Sequence, residues 1–145
     1  MNPLLTSVVV LFSAQASTQA PPATPGEPRQ IAEAAMEYVS REDMKGLFEF
    51  IRKNMPMEKE ELDKIRDSTI TQRKQLPKAI GPYIGYAFIS ECRKANTLSR
   101  VVMVEKRAKH VVSWQFIFYK PRDKWQLNSF KWDANELSAS TFAPC

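Results

Sequence analysis

The hydrophobic period of this chain changes once, at Pro82, and that change limits what it can fold into. Ahead of Pro82 apolar side chains recur every three or four positions; behind it they alternate every two, in segments rich in β-branched and aromatic residues. Helices written first and strands second give segregated α+β layers rather than interleaved units with a parallel sheet. With 145 residues, 43% hydrophobic and 26% charged, the chain has one domain's worth of material and can fill a core between those layers.

Ile31, Ala34, Ala35, Tyr38 and Val39 predict a first helix ending near Ser40. Ser40, followed by Arg41, Glu42 and Asp43, reads as the N-cap of a second helix carrying Met44, Leu47, Phe48 and Ile51. Pro56 marks a fresh start. Met57 to Leu76, with Leu62, Ile65 and Ile70 among many charges, predicts a third and more exposed helix that Pro77 closes.

Strands are expected at Tyr83 to Cys92, Leu98 to Lys106, His110 to Lys120 and Trp125 to Asp133. Their connections are short, so neighbours should run antiparallel in a meander. In the third strand Val112, Trp114, Phe116 and Phe118 share one face, the core face, while Ser113, Gln115, Ile117 and Tyr119 take the other. In the fourth, Trp125 and Leu127 are in one phase and Phe130 and Trp132 in the opposite one. A bulge near Asn128 or Ser129 would bring all four inward and curl the sheet.

The segment HVVSWQFIFYKPRDKWQLNSFKWD, residues 110–133, combines an aromatic strand, a Lys-Pro turn and a Trp-x-Leu-x-x-Phe strand. It resembles the closing hairpin of small exported bacterial proteins with the nuclear transport factor 2-like fold. The resemblance covers residues 30–133 by element order and 110–133 by motif. It implies three N-terminal helices packed on a curled four-stranded antiparallel meander sheet, an α+β cone. That superfamily hosts isomerases, dehydratases, hydrolases and many non-enzymatic binding domains, so the likeness speaks for fold rather than activity. Its enzymes use an acidic base and paired hydrogen-bond donors lining the cone, and this chain has no motif onto which those residues can be carried. The element order also departs from the commonest pattern, in which a strand often precedes the third helix.

The N-terminus points to export. Residues 1–20 carry no charged side chain, and Leu4 to Phe12 is dominated by Leu, Val and Phe, too short to span a bilayer. Ala14-Gln15-Ala16 has the small-x-small form of a signal-peptidase site, so residues 1–16 read as a signal peptide, although the usual Lys or Arg before the apolar run is missing. Residues 17–28 hold Pro21, Pro22, Pro25 and Pro28 among Thr, Ala and Gly, and read as a solvated leader. One folded domain is then expected over 29–133, with 134–145 as a tail, in a periplasmic or secreted protein whose mature chain has no transmembrane span.

Export gives meaning to Cys92 and Cys145, because paired thiols in an oxidising compartment tend to be bridged. A bridge would fasten the tail back across the domain; two free thiols and an intermolecular link are the alternatives. Charge is uneven along the chain. Residues 27–67 have 8 basic and 11 acidic side chains, residues 68–145 have 13 and 5, and the total is +5. The connections after the first and third strands lie at the same end of a meander, so Arg93, Lys94, Arg100, Lys120, Arg122 and Lys124 are expected along one rim that could meet an acidic protein or envelope partner. Equally, charged strand ends discourage edge pairing. Nucleic acid is a poor candidate, since no aromatic residues are interleaved on an exposed basic face.

Several chemistries lack their parts. His110 is the only histidine, the two cysteines lie far apart in sequence, and Gly26, Gly46, Gly81 and Gly85 fit no nucleotide fingerprint, so no metal, cofactor or catalytic residue is assigned. The aromatic residues should mostly be core. In a partly hollow cone, Tyr86, Phe88, Trp114 and Phe116 would wall an apolar small-molecule pocket. Two function classes follow: a noncatalytic exported domain binding a small apolar ligand or a protein or envelope partner, which is preferred, and a cofactor-independent enzyme acting on a small apolar substrate. A homodimer through the outer sheet face fits either.

Overall fold

The computed structural model describes residues 26–135, 137 and 141–145; the segments read from the sequence as a signal peptide, 1–16, and as a leader, 17–28, lie wholly and mostly outside the described residues. Four helices come first, α1 (Pro28–Ser40), α2 (Met44–Asn54), α3 (Lys59–Arg73) and the short α4 (Leu76–Ile80). Four strands follow, β1 (Tyr83–Lys94), β2 (Leu98–Arg107), β3 (Val111–Tyr119) and β4 (Gln126–Asp133), in one antiparallel sheet of order β1-β2-β3-β4. This is an α+β fold with helices packed against an open four-stranded meander. Among the described residues no helix is long and apolar enough to cross a membrane.

α1 begins at Pro28, whose missing N–H suits a first helical turn, and buries Ile31, Ala32, Ala35, Met36 and Val39 along one stripe. α2 buries Met44, Leu47, Phe48 and Ile51. Its N-cap is Asp43 rather than Ser40: the Asp43 carboxylate accepts the Gly46 N–H at 2.8 Å, whereas the Ser40 hydroxyl donates back to the Glu37 carbonyl at 2.6 Å. Both residue types cap helices, and the turn through Arg41 and Glu42 moves the start three residues on. α3 ends earlier than the sequence predicts, at Arg73, and Pro77 opens α4 instead of closing α3.

The helices pack against the sheet. α1 packs on β1 and β2, and α2 on β4. Val112, Trp114, Phe116 and Phe118 are all buried, as their shared phase predicts, and fully burying each such side chain stabilises the fold by roughly 1.5–3 kcal/mol. β4 carries the expected bulge: Ile117 pairs with Ser129 and Phe118 with Leu127, leaving Asn128 extra. That one residue resets the phase, so Trp125, Leu127, Phe130 and Trp132 all join the core. β1 holds two further irregularities, at Ile84 and Ile89, which are left without partners and exposed.

The outward phase of the sheet contains Cys92, Arg100, Val102, Val104 and Ser113, and Val102, Val104 and Ser113 are buried there. Cys92 and Cys145 stand at disulfide distance, with Cα atoms 5.2 Å apart. The Lys94 ammonium donates to the Cys145 carbonyl at 3.2 Å, and Thr141 is also buried. The end of the chain therefore lies back against the sheet beside the β1–β2 connection.

Candidate functional site

Two places where charge meets the core stand out, at opposite ends of the sheet. The first lies near the β2–β3 connection. Alternation along β2 sends Val101, Met103, Glu105 and Arg107 inward, so an acid and a base enter a core where unpaired charge is costly. Arg73, from the last turn of α3, answers with a bidentate pair: Nη1 and Nη2 each donate to a Glu105 oxygen at 3.0 Å. Arg107 Nε donates to Glu105 at 2.7 Å and Arg107 Nη1 to the Gly81 carbonyl at 3.1 Å. The Trp114 indole completes the set at 3.1 Å. Glu105 thus accepts four N–H groups.

Glu42 covers the two guanidinium groups from outside. Its carboxylate accepts from Arg73 Nη2 at 2.8 Å, from Arg73 Nε at 3.2 Å and from Arg107 Nη2. Its backbone sits in the left-handed region at φ 52°, in the turn between α1 and α2. Two carboxylates balance two guanidinium groups. Burial opposes ionisation of Glu105, but the hydrogen bonds and charges of Arg73 and Arg107 and the Trp114 N–H outweigh it and hold the carboxyl below its ordinary range. A general base needs a pKa near the working pH, so this arrangement makes Glu105 a poor proton acceptor.

The second place lies at the other end, where the β1–β2 and β3–β4 connections meet and Lys120 N donates to the Thr97 carbonyl at 2.9 Å. There a cleft of about 520 Å³ runs between the start of α1, the end of α2 and the β3–β4 connection. Ile31, Ala34 and Phe50 give it an apolar floor, Gln30 and Asn54 add amides, and Lys120, Asp123, Lys124 and Trp125 form the opposite wall. The Trp125 ring has the Arg93 guanidinium 5.3 Å and the Lys120 ammonium 5.4 Å from its centroid. Arg93 also pairs with Glu27 and, at 2.6 Å, with Glu91.

The residues singled out from the sequence are distributed as follows. Trp114 and Phe116 are fully buried and stacked, 6.1 Å between centroids, as core. Tyr86 and Phe88 share the inward face of β1 but are half-buried: the Tyr86 phenol donates to Glu37, and the Arg29 guanidinium lies 4.0 Å from the Phe88 ring centroid. Burial, then the Glu37 hydrogen bond, pushes the Tyr86 hydroxyl well above its ordinary value. None of these four lines the Trp125 cleft. The six basic residues share one end of the sheet but not one surface. Arg93 and Lys120 lie against Trp125, Lys124 lines the cleft, and Arg122 is exposed beside it. Lys94 reaches the Cys145 carbonyl and Arg100 takes the outward phase opposite Cys92. Strand alternation splits them.

Arg73, Glu42 and the α2 residues of the cleft carried no motif. The signal for the network was the appearance of Glu105 and Arg107 in the core phase of an otherwise apolar strand. Among the described residues no group of three or more His, Cys, Asp or Glu could hold a metal ion. No protein-family model matches the chain, and no curated protein and no solved structure shows a significant similarity to it.

Proposed function

We propose that this chain is an exported, noncatalytic binding domain of the cone type, and that its ligand enters the cleft beside Trp125. The observation that carries this reading is the contrast inside one fold: the buried carboxylate that could serve chemistry is closed by four donors, while the cleft between the sheet end and the helix ends stays open. An apolar floor facing a wall of polar and charged groups is the ordinary make-up of a small-molecule site. Export is supported by the apolar run Leu4 to Phe12 and by the Cys92–Cys145 pair at disulfide distance, which suits an oxidising compartment.

The binding half is tested by mapping backbone amide shifts of the mature chain against a panel of small amphiphiles. Shifts grouped at Ile31, Phe50, Lys120 and Trp125 are expected, and a panel that leaves those amides unmoved defeats it. Cell fractionation tests the export half. The expected product has Ser17 at its N-terminus, leaves the cytosol and resists thiol alkylation; unprocessed cytosolic chain with two reactive thiols overturns it.

A further inference from the structure

We propose that the Cys92–Cys145 pair is an exchangeable thiol–disulfide site, opened by a dithiol, and that its opening lifts the segment ending at Cys145 off the outer face of the sheet. That face points away from the core shared with the helices, yet Val102, Val104 and Ser113 are buried on it, Val102 to 1% exposure. Something other than a helix covers them. The chain leaves β4 at Asp133, which pairs with Ser113; Ser113 pairs with Val104, and Val102 lies along β2 between Val104 and Arg100, the cross-strand partner of Cys92. The path from Asp133 on β4 to Cys92 on β1 therefore passes over Ser113, Val104 and Val102. Strands lie about 4.8 Å apart, so residues 134–145 are long enough to make that crossing. Thr141, within the segment, is buried as well.

The two sulfurs are unlike. Cys145 is exposed and Cys92 is buried, so an incoming thiolate reaches the sulfur of Cys145. Attack there forms a mixed disulfide, breaks the bond between Cys92 and Cys145, and places the electron pair on the Cys92 sulfur. A thiol that leaves as a stabilised anion leaves faster, and neighbouring cations supply that stabilisation. Arg100 stands directly across from Cys92 on the same face, where facing Cβ atoms lie about 4.5–5.5 Å apart. Its Nε is buried without a hydrogen-bond partner among the described residues. The Lys94 ammonium is close too, donating to the Cys145 carbonyl at 3.2 Å. The second thiol of the reagent then attacks its own sulfur in the mixed disulfide, which closes a disulfide in the reagent and releases Cys145. Two electrons and two protons pass from the dithiol to Cys92 and Cys145, which end as thiols.

The experiment reduces the oxidised protein with dithiothreitol and counts trapped thiols by mass against time, while methyl resonances report on packing. Reduction should shift the methyl signals of Val102 and Val104, on the outer face, and leave those of Leu47 and Ile51, on the helices, in place. Arg100→Gln should slow the opening by about threefold to tenfold, because the Cys92 thiolate loses its neighbouring cation and leaves less readily. Arg100→Lys keeps the charge and should keep the rate. A merely structural role for Arg100 predicts the reverse, since a loosened segment admits the reagent sooner. Reduction of Arg100→Gln at the original rate or faster overturns the proposal. So do Val102 and Val104 signals that stay put once both thiols are free, and so does collapse of the Leu47 and Ile51 signals on reduction, which would make the bridge a structural staple.

Discussion

The two ends of the sheet solve the same problem in opposite ways. Near the β2–β3 connection, charged side chains enter the core and every oxygen and guanidinium edge is matched, so Glu105, Arg73, Arg107, Trp114 and Glu42 close the gap between helices and sheet. Near the β3–β4 connection the gap stays open, and among the described residues a buried tryptophan N–H lacks an acceptor and two lysines have no carboxylate partner. A closed network specifies structure, because removing any member strands the others in a medium of low polarity. An open end with unmet polar capacity is suited to a ligand. On the proposed reading, stability and recognition are separated along the strands.

The sharpest way to break this comparison is Glu105→Gln, which leaves two buried guanidinium groups facing a neutral amide. It should cost about 3–5 kcal/mol in chemical denaturation. A loss near zero would show that the network does not hold the closed end. Cys145→Ser acts at the other end. In the chain-entropy view, releasing a pair separated by 53 residues should cost about 2–4 kcal/mol. Hydrogen exchange should quicken around Cys92 and the β1–β2 connection while amides near Glu105 keep their protection; uniform acceleration would mean the two ends are not independent.

Acid sharpens the contrast further. The Glu105 pKa in the folded chain lies below its ordinary value, so its contribution is fully present above that ordinary value and is lost as the pH falls from there through the lowered one. Glu105→Gln should therefore flatten the acid limb of a stability-against-pH curve, and an unchanged limb would remove Glu105 from the account. The smallest effect is expected from Trp125→Phe. It deletes an N–H that has no partner among the described residues while keeping most of the ring, and should alter stability by less than about 1 kcal/mol. A loss several times larger would mean that Trp125 is structural in the way Trp114 is.

Much of the architecture is legible in the sequence because it follows from periodicity. The phase flip between Leu127 and Phe130 announces the Asn128 bulge, and the α2 stripe of Met44, Leu47, Phe48 and Ile51 is buried as spaced. Features decided by distant partners are not legible. Glu105 and Arg107 make sense only beside Arg73, about thirty residues away, and the Ser40 and Asp43 caps differ by a turn geometry that local residue preference does not resolve. The bulges at Ile84 and Ile89 interrupt an alternation that Tyr83, Gly85 and Tyr86 already blur. The cleft depends on three separate segments meeting; of its lining residues the sequence places only Lys120 and Lys124 at this end, through the meander connections, and as a basic rim rather than as cleft walls.

Those two irregularities in β1 bear on how crowded molecules of this protein would behave. β1 is the longer of the two outer strands of the sheet, and an unbroken free edge of that length invites another chain to zip alongside. At Ile84 and Ile89 the inserted residue throws the outward amides out of step, so an incoming ribbon loses its alignment twice before reaching Lys94. Those two bulges blunt polymer growth along that side, in a strand that contains no proline.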